Sequence, residues 1–191
     1  MYLYGAGGHA KVIIDILSNS GISIGGIFDD NSLLTEVNSC RVLGNYKGQL
    51  LDAPLIISIG NNSVRAKIAQ QLNIEFGIAI HKSAVVSPST IINKGTVIVQ
   101  GAIIQANANI GCHVIVNTNA SIDHDCVIED YVHISPGAVL CGHVTIGEGT
   151  HLGAGTVVTP GVAIGKWCKI NAGAVVTSNI PDYSVITMKQ S

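Results

Sequence analysis

Residues 116–146 read VNTNASIDHDCVIEDYVHISPGAVLCGHVTI, and every sixth position there (Val116, Ile122, Ile128, Ile134, Leu140, Ile146) is aliphatic. Extended both ways, the phase runs unbroken from Ile80 to Val176 through Val86, Ile92, Ile98, Ile104, Ile110, Leu152, Val158, Ile164 and Ile170. Four residues after these come small or β-branched residues, among them Ala84, Ala102, Ala108, Ala120, Cys126, Ala138, Thr156 and Ala174, which suit a second, tighter inward position. The remaining phases carry Gly, Asn, Asp, Lys and Pro, as turns require. A period of six fits neither a 3.6-residue helix nor a two-residue alternation. It fits a short strand and a turn repeated around a three-sided prism. Residues 80–181 are therefore expected to form a parallel β-helix of hexapeptide repeats. Residues eighteen apart should stack on neighbouring coils about 4.8 Å apart, as in any sheet. The period leaves the hand of the coil open. The aliphatic ladder is thin for the length of chain it orders, so packing against other copies is expected.

Working back from that stretch, the first 78 residues lack the period and read β-α-β. Met1 to Tyr4 suits a strand, Gly5-Ala6-Gly7-Gly8 a tight turn, and His9 to Ser18 a helix with Val12, Ile13, Ile16 and Leu17 on its apolar face. Ile22 to Phe28 and Leu55 to Ile59 read as further strands, and Ser63 to Leu72 as a helix with Asn62 or Ser63 as its N-cap. The expected organisation is a small Rossmann-like α/β domain over 1–78 followed by the β-helix over 79–191. In open parallel sheets ligands bind at the carboxyl ends of the strands, here Gly5 to His9, Asp29 to Asn31 and Gly60 to Asn62.

Composition narrows the partners. The chain is 47% hydrophobic but only 4% aromatic, so Val, Ile, Leu and Ala must build the core. A formal charge of -2 with no Lys/Arg cluster argues against nucleic acid. No apolar run approaches a membrane span, and nothing at Met1-Tyr2-Leu3-Tyr4 resembles a signal peptide, so a cytoplasmic protein is expected. The five cysteines are widely spaced and never form C-x-x-C, which fits reduced thiols.

Candidate chemistry falls in two places. Gly5-Ala6-Gly7-Gly8-His9-Ala10 fits G-x-G-x-x-A, where amides at a helix N-terminus approach a phosphate, although a ligand-free turn would look the same. Asp29 follows at a distance suited to a ribose hydroxyl or a base N–H, or is simply a solvated loop carboxylate. In the solenoid, His124 lies in Ser121-Ile122-Asp123-His124-Asp125-Cys126, with a carboxylate on either side to orient or charge-stabilise an imidazole acting as base. Gly142 falls eighteen residues later, where its N–H would serve an oxyanion beside that base. His133 and His151 should stack, and His81 and His113 read as exposed surface residues. No two histidines show the five-residue spacing of β-helix zinc sites, so no metal is expected. Cys126 occupies an inward phase and reads as core.

The G-x-G-G-H turn, Phe28-Asp29-Asp30-Asn31, Ile59-Gly60-Asn61-Asn62, Asn117-Thr118-Asn119, Asp123-His124-Asp125-Cys126 and His133-Ile134-Ser135-Pro136-Gly137 occur together with the repeats. In that combination the chain resembles the sialic-acid and nucleotide-amino-sugar acetyltransferases of the PglD/NeuD type, over essentially its whole length. The resemblance implies a left-handed β-helix and a homotrimer with active sites between subunits. It further implies acetyl-CoA as donor and N-acetylation of the 4-amino group of a nucleotide-linked amino sugar. It casts His124 as general base and Asp125 as its orienting carboxylate. Asn117 and His9 would lie by the acceptor sugar and its diphosphate, Gly7 and Gly8 would offer phosphate-binding amides, Asp29 and Asp30 would flank the base or ribose, and His133 and Gly142 would face the pantetheine and thioester. O-acetylation of sialic acid or another sugar, and a non-catalytic solenoid, are the rival readings. After Pro181-Asp182-Tyr183-Ser184-Val185 the family commonly continues with Gly-x-Pro-Ala, which is absent here, so a coenzyme A contact is expected to be missing.

Overall fold

The computed structural model describes residues 1–187 and begins with a five-stranded sheet. Its elements are β1 (Tyr2–Tyr4), α1 (Gly8–Asn19), β2 (Gly26–Phe28), β3 (Glu36–Val37), β4 (Cys40–Gly44), β5 (Leu55–Ile57) and α2 (Asn62–Gln71). The order is β3-β4-β2-β1-β5, parallel except for β3, which runs antiparallel to β4. The β-α-β reading thus holds, with differences. The second strand starts at Gly26 rather than Ile22, because the Ile22 N–H still donates to Leu17 O (2.9 Å) at the exit of α1. The N-cap of α2 is Asn61, not Asn62 or Ser63, and its side-chain oxygen accepts from Val64 N at 3.1 Å. The β3–β4 hairpin was not anticipated.

Ala10, Ile13, Ile14, Ile16 and Leu17 of α1 are buried, some against the sheet and some against Ala79, Val97 and Val99 of the solenoid. At about 1.5–3 kcal/mol per buried aliphatic side chain, this shared cluster is a substantial part of what holds the two regions together. The backbone also joins them. Leu55 N donates to Glu75 O and Gly77 N to Leu55 O, both at 3.0 Å, and Gly95 N then donates to Gly77 O at 2.7 Å.

Beyond Ala79 the chain is a left-handed parallel β-helix. Its first face stacks Ala79–Ile80, Val97–Ile98, Ile115–Val116, His133–Ile134, His151–Leu152, Lys169–Ile170 and Val185–Ile186. The second stacks Val85–Val86 through Ser121–Ile122 and Val139–Leu140 to Val175–Val176, and the third runs from Ile91–Ile92 to Ala163–Ile164. Pairing is eighteen residues apart, as in Ile115↔His133↔His151, until the last coil tightens to Ile164↔Ile180 and Lys169↔Val185. From Ile98 onward the ladder is buried, as are Ala102, Ala108, Ala120, Cys126, Ala138, Thr156 and Ala174 at the tighter inward position. Ile80 is 38% exposed, however, because the first coil has no coil beneath it.

Through the central coils each corner of the prism places one residue per coil in the left-handed region. At the corner between the second and third faces these are Asn107, Asp125, His143 and Gly161, with φ of 59°, 58°, 59° and 72°. The first three carry short polar or imidazole side chains, of the types that tolerate this conformation best after glycine. Their N–H groups donate to the coil before, as in His143 N to His124 O at 3.0 Å. A side chain at such a corner is held by two coils, which is the precision a catalytic group needs.

Candidate active site

His124 and Asp125 occupy that second–third corner. The Nδ1 of His124 donates to Asp125 Oδ2 at 2.7 Å, which leaves Nε2 as the free basic nitrogen. Asp125 also accepts from the Asn107 amide on the preceding coil at 3.3 Å. The hydrogen bond to Asp125, with some help from Asp123, raises the His124 pKa, and the same bond followed by the one from Asn107 lowers that of Asp125. Gly142 lies against the imidazole as the eighteen-residue stacking requires. A Cβ there would come within 2.7 Å of Cε1 and 2.8 Å of Nε2. Its carbonyl accepts from Gly161 N, while its own N–H donates to no group among the described residues. The His124 imidazole, the Asp125 carboxylate and the buried Gly142 backbone therefore meet at one corner. His124, Asp125 and His143 also gather one ligand-type atom each within 4.8 Å, but the 2.7 Å contact is a hydrogen bond between the atoms a metal would need to part.

The other predicted solenoid residues lie elsewhere in the chain. His133 and Asn117 sit on or beside the first face, which carries the N-terminal domain. Asn117 Oδ1 accepts from Thr118 N at 2.8 Å, so its amide nitrogen is the atom 3.1 Å from His133 Nε2. His133 Nε2 must then accept from the Asn117 amide, and the ring proton sits on the buried Nδ1, on the side of the Gly60 backbone. The ring stacks on His151, centroids 4.8 Å apart, and Ser135 Oγ lies 2.9 Å from His151 Nε2. Burial, then the neighbouring His151 and Arg65, pull the His133 pKa down to about 3. His133, on the first face, and Gly142, at the second–third corner, belong to different parts of the prism of one chain.

His9, in the first turn of α1, is also mostly buried. Its Nε2 lacks a partner, and burial followed by Arg65 lowers its pKa to about 4. Gly5 is fixed by the fold, with φ +105° and Ile59 where a side chain would go, whereas Gly7 and Gly8 face open space. No side chain caps α1 at Gly7, so its first amides remain available to an anion. Asp29 is not a free loop carboxylate. It accepts from Ala6 N at 2.6 Å and from Asn31 N at 2.8 Å, bracing the glycine turn. Asp30 stays exposed beside it.

Two expectations fail. His81 and His113 are 8% and 3% exposed, because His81 accepts from Ser83 N and His113 packs between Phe76 and Tyr131. Sequence reasoning also missed Arg65, which is 1% exposed. Its guanidinium donates to the carbonyls of His113 (2.9 Å), Tyr131 (2.8 Å), Ile59 (2.9 Å) and Gly60 (3.2 Å) and to Asn62 Oδ1 (2.9 Å). Asn62 in turn donates to Gly149 O at 3.0 Å. This clamp fixes the Gly60–Ser63 turn over the first face, where a cavity of about 400 Å³ opens between that turn, His133, His151 and Trp167. A larger depression near Leu50 and Asn73 touches none of the predicted site residues. The tail expected to lack a coenzyme A contact ends in residues 188–191, which lie outside those described.

Residues 1–72 match the PglD N-terminal domain, and residues 107–142 and 143–178 match the bacterial transferase hexapeptide (six repeats). The chain is 30% identical to GDP-perosamine N-acetyltransferase of Escherichia coli O157:H7 over 156 residues, 75% of this chain and 71% of that one. It belongs to the PglD-type family of hexapeptide-repeat sugar acetyltransferases. Within that family, a mutant perosamine N-acetyltransferase from Caulobacter crescentus, solved in complex with CoA and GDP-perosamine, superposes with a TM-score of 0.92 at 35% identity. The match covers 96% of this chain and 91% of that one. An uncharacterized mimivirus protein, L142, is 36% identical over 119 residues, 61% of this chain and 24% of its own length. The chain thus spans about a quarter of that relative. PglD-type membership accounts for the presence of both an α/β module and a solenoid, and the site residues lie in each.

Proposed function

We propose that the protein transfers the acetyl group of acetyl-CoA to the 4-amino group of a nucleotide-linked amino-deoxysugar, with His124 as general base. The observation that carries this reading is the corner itself, an imidazole anchored by Asp125 through Nδ1 and lying against the unengaged Gly142 amide. The amine nitrogen attacks the thioester carbonyl as His124 Nε2 takes its proton. The oxygen that gains charge rests near the Gly142 N–H, and collapse expels the coenzyme A thiolate. No acyl-enzyme is required, and Cys126, fully buried, stays in the core. GDP-perosamine, the sugar named for the relatives, is the first acceptor to test.

Acceptor recognition falls to the N-terminal half of the site. The open amides at Gly7 and Gly8 suit the diphosphate, with Asp30 near the nucleoside, while His9, Asn117 and His133 present neutral polar groups to the sugar. Because these residues and His124 occupy separate parts of one chain, we assign the complete site to the junction of two copies in a homotrimer. Val85, Ile103, Val139 and Val175, exposed in one column on the second face, supply an apolar surface for that contact. Five free thiols fit a reducing, cytoplasmic setting.

Thiol release from acetyl-CoA, measured with GDP-, UDP- and dTDP-linked 4-amino sugars and with free sialic acid, tests the reading. Release with an amino sugar that falls by 10²–10⁴ in His124→Ala supports it. Release with sialic acid alone would make the enzyme an O-acetyltransferase, and silence throughout would overturn the assignment.

A further inference from the structure

The corner that holds His124 carries a second imidazole that the transfer reaction, as described above, does not use. His143 lies one coil beyond Asp125 in the same left-handed column. Its Nε2 is 3.8 Å from Asp125 Oδ2, the oxygen that already accepts from His124 Nδ1. The two rings stand edge to face, with centroids 5.2 Å apart and an interplanar angle of 88°. Asn107, on the coil before, holds the opposite oxygen of the same carboxylate. Asp125 is therefore hydrogen-bonded from two coils and faces His143 on a third, so that two of its neighbours are imidazoles.

We propose that His143 is a positioning residue that tunes the basicity of His124 through their shared carboxylate. This inference rests on the reading of His124 as the base. At 3.8 Å the contact is too long for a hydrogen bond, so what His143 contributes is charge and competition for Oδ2. A positive charge at position 143, about 5 Å from the His124 ring, makes a proton on His124 less favourable. The other ionisable groups facing the corner are Asp123, which also favours the protonated form of His124, and the thiols of Cys126 and Cys141, of which Cys126 is buried. Among these groups His143 is the only other one that gains positive charge. A charge placed there opposes the stabilisation that Asp125 gives the protonated His124 ring.

The test is the acidic limb of kcat/KM for thiol release, in two variants at the same corner. His143→Asn removes the charge with a residue that tolerates the left-handed conformation, as Asn107 does one position down the column. His143→Arg makes the charge permanent. A unit charge about 5 Å away in a water-like medium corresponds to roughly half a pH unit. The limb should move up by about that much in the Asn variant and down in the Arg variant, with KM for both substrates within about twofold of wild type. Movement in opposite directions supports the proposal. Limbs that both coincide with wild type would overturn it, as would two variants that lose rate equally without moving the limb. His124→Ala is run alongside. If it retains full thiol release, the assignment of the base has failed, and that outcome is separable from any result at His143. Following the His124 ring protons by NMR through the same titration gives a readout that does not depend on turnover.

Discussion

On adjoining parts of the same coil, the hexapeptide repeat has produced two histidine pairs with opposite character. His124 and His143 project from an exposed corner, at 50% and 66% side-chain exposure, around a carboxylate that favours the protonated ring. His133 and His151 stack almost parallel beneath the N-terminal domain, where burial is the main force lowering both and the nearby Arg65 adds to it. Both pairs join successive coils, the first edge to face across nineteen residues and the second ring over ring across eighteen. They also differ in what covers them, water and Asp125 in one place and a docked α/β domain with a buried cation in the other. Residue type therefore says little about role in a solenoid, and the position around the prism says a good deal.

The most severe way to break this contrast is to remove the cation. Arg65→Met strips the donors from four carbonyls and from Asn62, so urea unfolding should show a loss of about 3–5 kcal/mol. In the folded fraction the ring protons of His9 and His133 should titrate at higher pH, while those of His124 stay where they are. A shift common to all the histidines would mean that the two environments are not independent. Next in size is Gly142→Ala. The added methyl would collide with the His124 ring while the backbone there needs no left-handed φ. We expect a fall in kcat of about 10²-fold with the melting temperature nearly unchanged, checked by thiol release and calorimetry.

The smallest effect sharpens the comparison through pH. For His9 and His133 the folded values, about 4 and about 3, lie below the ordinary 6.5. Above pH 6.5 neither state binds the proton. As pH falls below 6.5 the unfolded chain takes it up and the folded chain does not, so stability declines until the folded values are reached. Between pH 6.5 and pH 5 each residue should contribute a loss on the order of 2 kcal/mol. His124 has the opposite sign, with stability present below its ordinary value and lost as pH rises. Urea midpoints measured from pH 7 to pH 4 should fall, and the fall should shrink in His133→Gln.

The solenoid was legible because its period is covalent in the sequence. Once eighteen residues make a coil, the approach of His124 to Gly142 and of His133 to His151 follows by addition. Two kinds of feature were not legible. The β3–β4 hairpin is short and polar, and its turn is Asn38-Ser39, both with positive φ, where the usual sign would be Asn-Gly. Arg65 reads in sequence as a solvated helix residue. Two of its acceptors are the carbonyls of His113 and Tyr131, 48 and 66 residues away at one corner of the prism, and only docking of the N-terminal domain brings them together. The burial of His113 was missed for the same reason. Asp29 was recognised as important at the strand end, but the nearest donor turned out to be the protein's own Ala6 amide.

The eighteen-residue register has a consequence for how such a molecule can change over time. Because His124 and Gly142 come from successive coils, one residue inserted between them would turn every later side chain out of phase, whereas eighteen residues added beyond Gly142 would lengthen the prism by about 4.8 Å and leave the corner intact. Growth by whole coils is thus nearly silent to the chemistry, and slippage by single residues is ruinous. Length variation among such chains should accumulate in steps of eighteen along the prism, and freely only in turns that project from its corners.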